Sequence, residues 1–116
     1  MSISKIGVVG AGTMGNGIAQ VAAQAGLKVI LVDIEQSFIE KGMKNIVKNW
    51  DKDLKKGKIS EEQKAAFVGN ITTSVDKSAL SDCDLVVEAI IENIDIKKQL
   101  FKELNDICAP ETIIAT

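Results

Sequence analysis

Six residues near the start of the chain, Gly10-Ala11-Gly12-Thr13-Met14-Gly15, have the types and spacing to hold a pyrophosphate. Residues 7–17 carry five of the chain's nine glycines. A glycine costs roughly 0.5–1 kcal/mol relative to alanine inside a helix or strand, so local stability is not what sets this stretch. In a G-x-G-x-x-G placed between a strand and a helix, the first glycine permits a tight turn. The second lets the backbone approach phosphate, and the third lets the helix pack close to the sheet. Those roles fall to Gly10, Gly12 and Gly15, and Gly17 reads as a second close-packing position. The phosphates would lie at the helix N-terminus, where free N–H groups and the helix dipole favour negative charge.

The discriminating partner is Asp33, which ends the second apolar run 18 residues after Gly15. A carboxylate there accepts hydrogen bonds from an adenine-ribose diol and repels a 2′-phosphate, which favours NAD over NADP. The competing reading makes Asp33 a helix-capping residue. Further along, Ser74, Glu88, Glu92 and Lys97 fall at or just past the C-terminal ends of later strands, where a nicotinamide ribose would reach. For Glu92 the alternative is a solvated loop charge, and for Lys97 a solvated helix lysine. Lys52, Lys55, Lys56 and Lys58 read on composition as a solvated helix end, with a substrate phosphate as the alternative. The chain has no histidine and no tyrosine. Proton transfer near neutral pH would fall to carboxylates, lysines or residues outside these 116. Cys83 and Cys108 lack metal-ligand spacing and are expected as reduced thiols, without structural zinc.

These residues need elements to hold them. Ile6, Val8 and Val9 form a short strand ending at Gly10. Met14, Ile18, Val21, Ala22 and Ala25 then follow helical spacing, with Gly26 as a left-handed C-terminal cap. "LKVILVD" (27–33) reads as a parallel strand buried on both faces. Phe38, Ile39, Met43, Ile46, Val47, Trp50 and Leu54 mark one side of a helical arm roughly 30 Å long, ended by "KKGK" (55–58). Ser60 and Gln63 have capping-box spacing for a short helix closed by Gly69. "ITTSV" (71–75) and "DLVVEAI" (84–90) read as strands. Ile96, Leu100, Phe101, Leu104 and Ile107 trace a helix that Pro110 bars from continuing, and "TIIAT" (112–116) is a final strand. The order β-α-β-αα-β-β-α-β implies an open, mostly parallel sheet with helices on both faces, in one domain spanning residues 1–116.

Composition narrows the function classes. The chain is 46% apolar and 26% charged, with a formal charge of -2. That balance gives no footprint for nucleic acid or an anionic membrane, and no apolar run approaches the ~20 residues of a membrane span. A cytoplasmic location is the expectation.

At "GAGTMGNGIA", the Asp33 strand, the long helical arm, "LVVEAIIEN" and "IKKQLFKEL", the chain resembles the N-terminal NAD-binding domain of 3-hydroxyacyl-CoA dehydrogenases, most closely the bacterial 3-hydroxybutyryl-CoA dehydrogenases. The resemblance covers essentially the whole chain. It implies an α/β fold: a Rossmann-type, doubly wound, mostly parallel sheet with an inserted long helical hairpin. It also implies that Gly10, Ala11, Gly12, Thr13, Met14, Gly15 and Asp33 hold the ADP half of NAD, with Glu92 and Lys97 on the nicotinamide side. A serine and a lysine of the arm touch CoA in the family. Lys56 matches the lysine, while Asn49 stands at the serine position. The family continues past "ETIIAT" into an Asn-Thr-Ser-Ser segment, a catalytic histidine paired with a glutamate, and a helical domain that completes the substrate site and the homo-oligomer. The chain is thus expected to be the cofactor-binding part of such an enzyme, truncated before the all-helical C-terminal domain. It would bind NAD and, with no catalytic residue of its own, turn over negligibly. Two other readings stand: a non-enzymatic, redox-sensing dinucleotide module, and a dehydrogenase for another substrate, of the 3-hydroxyisobutyrate or flavin-linked type.

Overall fold

The computed structural model describes residues 4–89, 98–99, 102–103 and 106–107, together with the backbone of 113–115. Five strands form one sheet in the order β3-β2-β1-β4-β5. They are β1 (Lys5–Val9), β2 (Lys28–Val32), β3 (Ile71–Ser74), β4 (Leu85–Glu88) and β5 (Ile113–Ala115). Every pairing is parallel; Val9 lies opposite Val32 on one side and Glu88 on the other, and Val32 lies opposite Ser74. The alternating, doubly wound sheet of the sequence reading is therefore present, with β1 at its centre.

Three helices follow β1 and β2: α1 (Thr13–Gln24), α2 (Gln36–Lys55) and α3 (Glu61–Gly69). They close over one face of the sheet, where Val8, Val29 and Leu31 meet Ala19, Ala23, Ile46 and Trp50, all essentially fully buried. The other face carries a second cluster of Val9, Ile30, Val32, Leu80, Cys83 and Val86. Both faces of the central strands are thus buried, which is why β1 and β2 read as continuous apolar runs. Cys83 packs there as a small apolar group, as expected; Cys108 lies outside the described residues. Among the described residues, no helix is long and apolar enough to cross a membrane, and no group of histidine, cysteine, aspartate or glutamate side chains is arranged to hold a metal ion.

The terminators behave as their sequences dictate. Gly26 has φ +89° and closes α1, with its N–H on the carbonyl of Ala23 and that of Leu27 on Ala22. The same paired bonds end α2 at Gly57, so "KKGK" is a helix stop. Ser60 and Gln63 form the reciprocal capping box, Ser60 Oγ accepting from the Gln63 N–H at 3.1 Å and Gln63 Oε1 from the Ser60 N–H at 2.8 Å. Gly69 is the last helical residue of α3 rather than a left-handed cap, and Asn70 follows with φ -79°.

Two expectations are corrected. The buried side of α1 is Gly15, Asn16, Ala19, Ala22 and Ala23, while Met14 and Val21 are 51% and 68% exposed. Counting large apolar residues rotated the helix away from its true inner face, where close approach to the sheet selects small residues. Gly17 is not a packing position, since a Cβ built there meets nothing within 4 Å. Between β3 and β4 the chain makes a single 3-10 turn, Lys77–Leu80, that crosses under the sheet and buries Leu80. The predicted helix of Ile96 to Ile107 is seen only in part: residues 98–99, 102–103 and 106–107 are helical, and Ile96, Leu100, Phe101 and Leu104 lie outside the described residues.

At the N-terminal edge of the sheet the Asp84 carboxylate accepts from the Ser4 N–H, the Ser4 hydroxyl and the Lys5 N–H, at 2.9, 3.1 and 3.1 Å. These bonds, that of the Ser4 backbone first, hold its carboxyl below the usual value. Asp82 is lowered by the Lys5 ammonium, Asp76 by the Ser78 backbone N–H and Glu103 by the Lys77 ammonium. A carboxyl depressed in the folded chain contributes stability above its unfolded pKa and loses it as pH falls through the folded one. The denaturation midpoint should therefore hold steady from pH 7 to 5 and fall below about pH 4. Asp84→Asn should lower the midpoint at pH 7 and shallow the acid decline; an unchanged acid profile in that variant would remove Asp84 from the account.

Candidate dinucleotide-binding site

The carboxyl ends of β1, β2 and β4 meet at the glycine turn. Gly10 has φ +104°, which only glycine adopts without strain here, and its N–H bonds the Val32 carbonyl at 2.7 Å. Gly15 is buried beneath it. A Cβ on Gly15 would overlap the Gly10 carbonyl oxygen and stand 2.7 Å from its carbon, so α1 packs on the turn at a separation that admits no side chain.

Gly12 differs from both. It is the N-cap of α1, exposed, with φ -69° and ψ -171°, values any residue takes. A Cβ there would meet nothing within 4 Å. Neither its backbone nor packing among the described residues calls for glycine at this position. What an added methyl would fill is the open space in front of the first amides of α1. Among the described residues no side chain caps those amides, and the first turn holds no acidic residue. The loop fits a bound phosphate on this observation: a helix N-terminus with no side-chain cap among the described residues and no neighbour of theirs within 4 Å of a Cβ at Gly12.

Asp33 is half-buried at the end of β2 and faces the loop. Its Oδ2 accepts from the Ala11 N–H at 2.8 Å and its Oδ1 from the Ile34 N–H at 2.6 Å. It does not cap α2, whose N-cap is Glu35, a residue whose side chain makes no capping bond to the helix backbone. Asp33 thus does a task the sequence did not show: it ties β2 to the glycine turn. A carboxylate has about four lone-pair positions, so two remain for hydroxyl donors. Ile34, Phe38 and Val75 stand 68%, 45% and 50% exposed, and Ile34 and Val75 end the same sheet edge.

The other candidates divide. Glu88 is buried at 2% exposure in register with Val9, and the Ala89 N–H bonds the Val9 carbonyl, so the end of β4 abuts the turn. Ser74 is not brought to the turn: β2 separates β3 from β1, and the Ser74 hydroxyl closes a local turn with the backbone of Asp76. Glu92 and Lys97 lie outside the described residues. The backbone of Thr13 opens α1, and Met14 is on its outer side. Asn49 and Lys56 are exposed on the arm, about 10 and 21 Å along it from Gly42. Asn49 Nδ2 donates to Gln20 Oε1 at 3.0 Å and links the arm to α1.

Two features escaped the sequence reading. Lys41, Lys44, Lys48, Lys52 and Lys55 recur at helical spacing and are all exposed, forming one row along the outer face of α2. Residues 41–58 hold seven lysines against two aspartates, while the rest of the chain holds seven lysines against fourteen acids. The second feature is Gly42, buried in the middle of α2, where a Cβ would stand 2.7 Å from the Ala11 carbonyl oxygen and 3.0 Å from the Ala11 Cβ. Its signal was a glycine inside a long helix at the register of Ile39, Ile46 and Trp50.

Comparison with known proteins accords with this geometry. The family described as "3-hydroxyacyl-CoA dehydrogenase, NAD binding domain" matches residues 5–116. A Deinococcus radiodurans protein named "Probable 3-hydroxybutyryl-CoA dehydrogenase" is 47% identical over 112 residues, covering 97% of this chain and 40% of that protein. The 3-hydroxybutyryl-CoA dehydrogenase of Bradyrhizobium diazoefficiens is 40% identical over 98% of this chain and 39% of its own length. The crystal structure of (S)-3-hydroxybutyryl-CoA dehydrogenase from Ralstonia eutropha superposes with a TM-score of 0.95 at 40% identity, over 98% of this chain and 41% of that one. The chain thus spans about 40% of the length of these relatives. With the phosphate-ready loop, the β2 carboxylate and the arm in place, the chain belongs to the family of NAD-binding domains of 3-hydroxyacyl-CoA dehydrogenases.

Proposed function

We propose that residues 1–116 form the cofactor-binding unit of an NAD-dependent 3-hydroxyacyl-CoA dehydrogenase with 3-hydroxybutyryl-CoA as its substrate type. The observation that carries this reading is Gly12, a glycine that the protein's own packing does not require, set before uncapped helix amides. Gly10, Ala11, Gly12, Thr13, Met14 and Gly15 would hold the pyrophosphate. The Asp33 carboxylate would take the adenine-ribose hydroxyls, with Ile34 and Val75 offering apolar surface to the purine. Glu92 and Lys97 would stand on the nicotinamide side. NAD, when bound, supplies the acceptor for hydride from C3 of the (S)-3-hydroxyacyl group.

On the arm, Asn49 and Lys56 would touch the CoA moiety. The lysine row supports an anionic, multiply phosphorylated substrate on this side of the domain, because an unbalanced surplus of positive charge raises the local concentration of anions. The chain contains no histidine, so the general base would come from outside these residues, and the chain alone would bind cofactor without turnover. The whole enzyme would be a homo-oligomer acting in the cytoplasm on fatty-acid or butanoate intermediates.

Calorimetric titration with NADH and NADPH tests the cofactor half. NADH should bind in the micromolar range and NADPH at least about tenfold more weakly, a difference of ~1.4 kcal/mol. Asp33→Ala should weaken NADH and narrow the gap between the two. Equal affinity for both cofactors in the unaltered chain would remove Asp33 from its role. A pair of glycine variants separates packing from binding. Gly12→Ala should leave the melting temperature nearly unchanged while reducing NADH affinity. Gly15→Ala should lower the melting temperature itself, by overpacking of about 1–3 kcal/mol. A Gly12→Ala chain that binds NADH normally would mean that the open space before α1 is not where the phosphates lie.

A further inference from the structure

Gly42 lies on the arm, outside the glycine motif, yet it meets that motif at its backbone. Alanine is the better helix former at such an interior position, and Gly42 is buried where an apolar side chain would otherwise be favoured. What forbids a side chain is the Ala11 carbonyl oxygen, 2.7 Å from where its Cβ would be. That oxygen belongs to the Ala11–Gly12 peptide, which is planar, so the carbonyl and the Gly12 N–H point in opposite directions. With the carbonyl seated against α2, the Gly12 N–H is directed away from the arm. Ala11 itself is 3% exposed, and its own N–H is held by Asp33 at 2.8 Å. No protein acceptor takes the Gly12 N–H among the described residues.

We propose that Gly42 is a positioning residue for the phosphate loop: by admitting the Ala11 carbonyl against α2, it sets the plane of the Ala11–Gly12 peptide and thereby the aim of the Gly12 N–H. This rests on the reading that the loop holds the cofactor's phosphates. Gly42 touches no ligand; it acts through Ala11. A methyl at position 42 cannot be accommodated by a rotamer change, because its nearest neighbours are a main-chain oxygen and a Cβ. The peptide must tilt, or the arm must move off the loop, and either change misdirects the donor.

The test is Gly42→Ala in the 116-residue chain, with Ile46→Val as a control that loosens the same face of α2 without touching Ala11. Gly42→Ala should raise the NADH dissociation constant tenfold or more and leave that for adenosine, which has no phosphate, within twofold. Ile46→Val should lower the melting temperature and change neither constant. Ala11→Gly added to Gly42→Ala removes the Cβ contact and should restore part of the NADH affinity. Amide exchange measured by NMR is the second readout: the Ala11 N–H should exchange faster in Gly42→Ala than in Ile46→Val or the unaltered chain. The proposal is overturned if Gly42→Ala binds NADH normally, if it loses NADH and adenosine in equal proportion, or if the Ala11 amide is unmoved. Should the unaltered chain bind no NADH, the cofactor reading fails by itself, and the Ala11 amide still decides whether Gly42 sets the loop.

Discussion

The passage from β1 into α1 is gripped at main-chain level from three directions, and the rest of the site depends on that grip. β2 holds it through the bond from the Gly10 N–H to the Val32 carbonyl and through Asp33 on the Ala11 N–H. α1 presses on Gly10 through Gly15, and α2 presses on Ala11 through Gly42. Apart from the Asp33 bond, these contacts cannot be relieved by turning a side chain, because each is made by main-chain atoms or a Cβ. The sheet order explains the location. Helices that follow β1 and β2 close one face, while the 3-10 turn that leads into β4 buries Leu80 against the other, so the carboxyl end of β1 lies where the winding reverses. A crevice opens at such a switch point because no crossover covers it. In front of Gly12, no described residue comes within 4 Å of an added Cβ.

The two helices beside that crevice use opposite means. α1 has no charged residue in its twelve and buries Gly15, Ala19, Ala22 and Ala23, side chains too small to hold it away from the sheet. Its free N-terminal amides are therefore brought close to the strand ends, without a carboxylate of its own to compete for them. α2 stands farther out on larger groups. Ile39, Ile46 and Trp50 are fully buried along it, and the Trp50 ring lies 5.5 Å from that of Phe67 on α3. It touches the turn at one glycine and extends its lysines over the following turns. A short neutral helix fixes donors near the loop, and a long cationic helix spreads charge over about 20 Å beyond it.

What could be read from the sequence and what could not follow from how far each signal reaches along the chain. The glycine turn, the β1 and β2 runs, the cap at Gly26 and the Ser60–Gln63 box are set by residues a few positions apart, and they stand where the spacing puts them. The inner face of α1 did not, because periodicity counts large apolar residues while this interface selects small ones. The packing of Gly42 on Ala11, the bond from Asn49 to Gln20 and the bond from Asp33 to Ala11 join residues 22 or more apart. They exist only once two elements have docked. Gly17 shows the same limit from the other side: it belongs to the glycine-rich stretch by position, yet a Cβ added there would meet no described residue within 4 Å.

Asp33 illustrates how one side chain of a compact site comes to serve two ends. Its position at the end of β2 suits it to a ribose diol, and that much could be argued from its place 18 residues after Gly15. The structure adds that each of its oxygens already carries one backbone N–H, from Ala11 and from Ile34. A carboxylate held at both oxygens cannot swing aside to admit a bulkier group. On the proposed reading, a 2′-phosphate would then meet a fixed negative charge rather than one able to retreat, and discrimination would come from rigidity as much as from charge. The same bond runs the other way. The carboxylate that would take the ribose also holds the Ala11 N–H, through a single hydrogen bond of 2.8 Å.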